Sequence, residues 1–146
     1  MLLLRIFLAA PMTVQGRSME PTLRAGDVVL VGRLSGAPEV HRGDLVVFRD
    51  PDRALSLKRV IGLAGDRVAI RDGVLEVDGR PLREDYVSTG ASDGVFFGPI
   101  TVAAGTVFVL GDNRDDSIDS RSYGAVEVEH LVGPVLAGLW PPRTVG

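Results

Sequence analysis

Apolar and polar positions alternate at short period along most of the chain, the pattern of half-buried strands. Asp27-Val-Val-Leu-Val-Gly, Asp44-Leu-Val-Val-Phe and Leu55-Ser-Leu-Lys-Arg-Val-Ile-Gly are β-branched or apolar runs bounded by Gly, Pro and Asp, and each predicts a strand. Arg67–Arg71 and Val74–Val77 flank Asp72-Gly73, a pair suited to a type I′ hairpin because both turn residues need positive φ. Asp78-Gly79 ends the second of these strands in the same way. Thr106–Leu110 and Leu131–Leu139 supply late strands. No window carries an amphipathic helix of three turns; short helices are expected after Pro21 and within 115–122. The expected fold is mainly β, coiled antiparallel sheets or a partly open barrel. Its core is discontinuous, 1–65 with 106–146. Residues 66–105 form a hairpin-rich insertion, loosest at Ser88–Gly98.

The run Leu2–Ala10 is apolar except for Arg5, and Pro11 closes it. It is shorter than the roughly 20 residues of a spanning helix. It also lacks the basic start and unbroken apolar middle of a secretory signal. Three readings remain: a buried first strand, a shallow interfacial anchor, or the downstream edge of a membrane segment. The run by itself favours the core strand, while membrane proximity explains an exposed apolar terminus.

Composition narrows the chemistry. A chain of 146 residues with 24% charged and 45% hydrophobic residues is one ordinary domain. Net charge is −3, so there is no basic footprint and no nucleic-acid partner is expected. Cysteine is absent, which removes disulfides, thiolate catalysis and cysteine metal sites. Of the 16 Lys plus Arg, Lys58 is the single lysine. Lysine, unlike arginine, can lose its proton near neutral pH, so one lysine in an arginine-rich chain draws attention to itself. Chance survival is the plain alternative.

Ser18 lies in Gly16-Arg17-Ser18-Met19-Glu20-Pro21-Thr22-Leu23, a redirection of the chain that can present a hydroxyl and free a backbone N–H for an oxyanion. A cap or turn serine is the bland reading. His41 and His130 lie outside turn-rich polar clusters and read as surface residues. Lys58 is the better base, because burial among Leu57, Val60 and Ile61 would penalise its ammonium form. Strand alternation sends Arg59 to the opposite face. The segment Gly111–Gly124 is dense in Asp, Asn, Ser and Arg. A calcium loop counted from Asp112 fails, since Ser117 and Tyr123 stand where Gly and Glu are required. No metal or cofactor is expected. A polar loop with Asp–Arg pairs and a shell orienting a nucleophile and base both fit.

Taken together, these segments resemble the type I signal peptidases, serine proteases with a Ser–Lys dyad. Ser18-Met-Glu-Pro-Thr-Leu23 resembles the family's nucleophile box, and Gly43-Asp44-Leu-Val-Val-Phe its next strand. Lys58-Arg59-Val-Ile-Gly-Leu-Ala-Gly-Asp66 resembles the lysine box, and Gly111–Gly124 the last box. The resemblance implies Ser18 as nucleophile, Lys58 as general base and the Ser18 N–H as an oxyanion donor. It implies that Ser117 hydrogen-bonds the lysine amine, with Asp119, Arg121 and Arg59 as charged groups around that serine. Val14, Met19, Leu23 and Leu57 would line shallow pockets for the small side chains of Ala-x-Ala sequences. Gly16 stands where some members carry a serine that donates a second oxyanion bond, a loss on the order of 100-fold where it is not replaced. Asp116 stands where many carry Asn. The implied partners are signal-peptide-bearing precursors and a membrane lipid surface. The implied place is the outer face of the cell membrane, where the family usually carries transmembrane helices ahead of its first strand. Leu2–Ala10 is the expected membrane contact here. The other readings are a membrane-free relative that removes a propeptide, and a non-catalytic β module binding extended peptides.

Overall fold

The computed structural model describes residues 8–33, 39–87 and 94–145. The strands are β1 (Leu8–Thr13), β2 (Val28–Arg33), β3 (Leu45–Arg49), β4 (Leu55–Gly62), β5 (Arg67–Arg71) and β6 (Val74–Val77). They continue with β7 (Arg80–Pro81), β8 (Phe97–Thr101), β9 (Thr106–Leu110), β10 (Val126–Glu127), β11 (Leu131–Trp140) and β12 (Pro142–Arg143). One helical turn, α1 (Ser120–Tyr123), precedes β10. An eight-stranded sheet runs β1-β2-β11-β3-β4-β9-β10, with β12 on β11. A second sheet runs β7-β6-β5-β8. The architecture is a curled antiparallel sheet, a half-barrel, as the sequence predicts.

The long strand β11 makes the curl. Its first half pairs with β3 (Leu131↔Phe48, Pro134↔Val46) and its second half with β2 (Val135↔Val31, Trp140↔Val28), with register shifts along the way. Gly133 sits at the crossing, where a Cβ would fall on the Gly32 carbonyl oxygen. A bulged strand without a side chain at its tightest point can bend between two partners.

Strand alternation divides β3 between two cores. Leu45 and Val47 pack with Val14, Met19, Leu23, Val29 and Leu57. Val46 and Phe48 pack with Val60, Val107 and Val109. A third cluster, Ile61, Val68, Ile70, Val102, Phe108 and Leu110, fastens the small sheet to the large one. Each such buried side chain contributes about 1.5–3 kcal/mol.

The predicted hairpins form: Asp72 and Gly73 have φ of 50° and 77°, Asp78 and Gly79 of 53° and 77°. Three expectations change. Leu8–Ala10 are strand but not core, because among the described residues β1 pairs only with β2, at the sheet edge, and Leu8 is 63% exposed. Residues 2–7 of that apolar run lie outside the described residues. Pro11 continues β1 rather than ending it, as an edge strand permits. The segment after Pro21 is a non-helical turn, whereas the helix expected in 115–122 is the single turn α1. Residues 88–93 of the stretch expected to be loosest lie outside the described residues; its end enters β8. No helix among the described residues is long and apolar enough to cross a membrane.

Candidate active site

Ser18 stands in the turn that joins β1 to β2. Buried Met19 and Leu23 anchor this turn, and the Leu23 N–H donates to the Met19 carbonyl at 3.0 Å. From the far side, the Asn113 N–H donates to the Ser18 carbonyl (2.9 Å) and Asn113 Nδ2 to the Arg17 carbonyl (3.1 Å). The serine is therefore held by two segments about 90 residues apart in sequence.

Lys58 comes from β4, and its Nζ lies 2.9 Å from Ser18 Oγ. The amine also donates to the Leu57 carbonyl at 3.1 Å. The residue is 6% exposed. Burial holds its pKa below the ordinary lysine value, and the Asp119 and Asp50 carboxylates offset part of that fall. The physical consequence is a lysine biased toward its neutral, proton-accepting form.

Backbone direction explains why this place is open. The Val60 N–H bonds the Asp44 carbonyl, and the Val60 carbonyl accepts from the Gly43 N–H. Alternation then turns the backbone of Ser56 and Lys58 toward β3, and that of Leu55 and Leu57 outward. Strand β9 covers β4 only from Arg59 onward. Across the gap, Val14 bonds back to Asp27 and Gly26, which turns Thr13 and Gln15 outward as well. The resulting groove of about 350 Å³ runs between Met12–Gln15 and Ala54–Lys58, with Ser18 and Met19 in its wall.

Asp119 organises the last segment. It accepts from Ser117 Oγ (2.9 Å), the Gly111 N–H (3.0 Å), and Arg121 Nε and Nη2 (2.9 Å each). Burial pushes its carboxyl up, but these donors and the Arg121 charge outweigh burial and hold it below the ordinary aspartate value. Gly111 is required by space: a Cβ there would run into Ser117 Oγ and come within 2.6 Å of the Ser18 carbonyl oxygen.

The structure brings Ser18, Lys58, Ser117, Asp119 and Arg121 to one place, and three details differ from what the resemblance implies. The hydroxyl of Ser117 is spent on Asp119, and the hydrogen bonds of the Lys58 amine go to Ser18 and Leu57. Arg59 does leave the Lys58 face, but its partners are Asp112, by Nε and Nη2 (2.9 and 2.8 Å), and the Gly43 carbonyl, not the Ser117 group. Val14, Met19 and Leu57 line the groove, whereas Leu23 packs 1% exposed in the core beneath it. The hydrogen bond from the Leu23 N–H to the Met19 carbonyl curls the chain, which carries Leu23 inward. Gly16 is exposed with φ of 73° and open space where a side chain would stand.

Sequence reasoning missed Asp112, wholly buried between Arg59 and the Thr22 hydroxyl (2.6 Å). It also missed Asn113, Glu84, Tyr86 and Arg114. Polar density marks 111–124, but nothing local tells which carboxylate faces which segment. His41 and His130 are exposed, beside Glu39 and Asp44 and beside Glu127 respectively. A larger hollow of about 590 Å³, edged by Arg49, Arg53, Tyr123 and His130, contains neither Ser18 nor Lys58. Among the described residues, the group spaced to share an ion is Glu127, Glu129 and His130; all three are exposed and none lines the groove.

Comparison with known proteins adds a family. The profile described as "Signal peptidase, peptidase S26" matches residues 1–140. A signal peptidase I of Bacillus caldolyticus is 38% identical over 151 aligned positions, covering 94% of this chain and 83% of that protein. A probable signal peptidase I-2 of Synechocystis is 35% identical, covering 98% of this chain and 68% of that protein. A crystal structure of a signal peptidase I from Enterococcus faecalis superposes with a TM-score of 0.59 at 32% identity, over 68% of this chain and 99% of that one.

Proposed function

The chain belongs to the signal peptidase, peptidase S26, family and is a serine endopeptidase that cleaves signal peptides; from that premise we propose that Ser18 is its nucleophile and Lys58 its general base. The observation that carries this reading is the 2.9 Å approach of Ser18 Oγ to a lysine amine that is 6% exposed.

The steps follow from the geometry. Neutral Lys58 takes the Ser18 proton as Oγ attacks the scissile carbonyl. The Ser18 N–H stabilises the oxyanion. Protonated Lys58 gives its proton to the departing amine, which leaves an acyl-Ser18. Lys58 then takes a proton from water, whose hydroxide displaces Ser18 from the acyl group. The acyl carbon leaves as a carboxylic acid, and Ser18 regains its proton.

The precursor binds as an extended strand between two outward-facing backbones, Thr13 and Gln15 on one side and Leu55 and Leu57 on the other. Val14, Met19 and Leu57 form the walls beneath alternate side chains. Their closeness supports a preference for small residues, the Ala-x-Ala pattern. Residues 1–65 and 106–146 act as the catalytic core and 66–105 as an insertion. The enzyme works at the outer face of the cell membrane. Exposed Leu8, Leu136, Leu139 and Trp140, all on the β1-β2-β11 part of the large sheet, make its lipid contact.

The test is labelling by an acylating serine probe across a pH series. Label is expected on Ser18 alone, rising with pH in the wild type and lost in Ser18→Ala and Lys58→Ala. Label on another residue, or equal labelling in Lys58→Ala, would overturn the assignment.

A further inference from the structure

The loop that carries Ser117 is gripped from outside the catalytic core. Glu84, in the segment after β7, takes Arg114 by both oxygens: Nη1 to Oε2 at 2.9 Å and Nη2 to Oε1 at 2.6 Å. The two side chains are 11% and 8% exposed. Arg114 Nε donates to the Gly111 carbonyl (2.8 Å), and the Arg114 carbonyl accepts from Arg121 Nη2 (2.9 Å). Arg121 is the partner of Asp119. Two residues on, the Tyr86 hydroxyl donates to Glu84 Oε1 (3.0 Å), and its ring lies 3.9 Å from the Arg59 guanidinium carbon. With one face against the ring, Arg59 presents Nε and Nη2 to Asp112, which also accepts from Thr22 in the serine turn.

Two bonded paths thus leave the short segment 84–86. One runs through Arg114 and Arg121 to Asp119 and Ser117. The other runs through Arg59 and Asp112 to the turn bearing Ser18. A desolvated, forked ion pair is a costly way to gain stability, since apolar residues fill such space at least as well. What the fork supplies is a fixed direction for each partner.

We propose that Glu84 and Tyr86 are positioning residues for the Ser18–Lys58 pair, so that residues 66–105 belong to the catalytic apparatus although none of the described residues among them lines the groove. The proposal rests on the dyad reading above. The groups that face Lys58 are Ser18 from its turn, Asp119 from the start of α1, and Asp50 from the β3–β4 turn. When the 111–119 loop loosens, water reaches the amine, its pKa rises, and less of it is neutral at a given pH. Peptide binding in the groove is left alone.

The experiment is steady-state cleavage of a signal-peptide-bearing precursor by the full chain, with kcat, KM and the pH profile of kcat/KM. Glu84→Gln and Tyr86→Leu are expected to lower kcat about 10- to 100-fold, the scale of a misplaced reacting group. KM is expected to stay within about threefold, and the acid limb to move to higher pH. Tyr86→Phe keeps the ring on Arg59 and is expected to lose no more than about threefold. Folded Glu84→Gln and Tyr86→Leu enzymes with wild-type kcat and an unmoved acid limb would overturn the proposal. So would a fall in kcat with an unmoved limb and Tyr86→Phe as impaired as Tyr86→Leu, the mark of a merely structural role. If Glu84→Gln does not fold, the Phe and Leu pair at position 86 decides alone. Ser18→Ala and Lys58→Arg run alongside; activity in either would sink the dyad reading itself, whatever positions 84 and 86 do.

Discussion

At the scale of single residues, the site turns on a lysine that the fold makes unfavourable to charge. Burial lowers the pKa of Lys58 in the folded chain, so between the folded and unfolded values the unfolded chain binds more protons. Stability therefore rises with pH through that window. Below it, folding carries the full cost of burying an ammonium group. Lys58→Met removes that cost. It is expected to raise the melting temperature at neutral pH by about 2–4 °C, the shift that roughly 1 kcal/mol gives a chain of this size. The gain shrinks as pH rises toward the ordinary lysine value. A melting series from pH 6 to 10 checks this, and a variant less stable than wild type across the series would contradict it. Ser18 and Lys58 stand out in the sequence only when the four boxes are read together, because a serine before a Pro-bearing turn and a lone lysine each have a bland reading. Asp112, Glu84 and Tyr86 do not stand out even then, because their meaning lies in partners 53, 30 and 27 residues away along the chain.

Elements were legible where their signal is local and hidden where it is not. Strand β4 and the two Asp-Gly hairpins appear where alternation and turn chemistry put them. Apolar composition alone favours a core strand for the start of the chain, and it does not reveal that β1 lies at a sheet edge. That β11 would serve two partners is equally invisible, since a bend is set by the strands around it. Only Gly133 hints at the bend. In Gly133→Ala the new methyl would meet the Gly32 carbonyl, and β2 and β11 must part. The expected loss is about 1–3 kcal/mol in urea unfolding, the usual cost of overpacking. The same change at half-buried Gly43 meets no neighbouring atom and costs only what its φ of 97° imposes on an L-residue. Equal urea stability of wild type and Gly133→Ala would show that β2 and β11 can part at the crossing without cost.

At the scale of the whole molecule, the chain divides its tasks between two sheets. The large sheet carries the groove along the edge of β4 that β9 leaves uncovered. The small sheet sends Glu84 and Tyr86 back to steady the loop beside it. The apolar side chains left in solvent on β1 and β11 are the proposed lipid contact. Trp140 is the single tryptophan and is 70% exposed, so its emission reports this contact without labels. Vesicles of phosphatidylethanolamine and phosphatidylglycerol are expected to shift it to the blue and quench-protect it. An unchanged spectrum at saturating lipid would remove Trp140 from the contact surface.

The proposed cleavage depends on the pairing of Ser18 with a neutral Lys58. It is tested most directly by cleavage of a membrane-embedded precursor whose signal ends Ala-x-Ala, read by N-terminal sequencing of the product. The wild type is expected to cut directly after the last Ala. Ser18→Ala and Lys58→Arg are expected to be inactive, the second despite keeping its positive charge, because a guanidinium does not give up its proton. Substantial cleavage by Lys58→Arg would contradict that pairing.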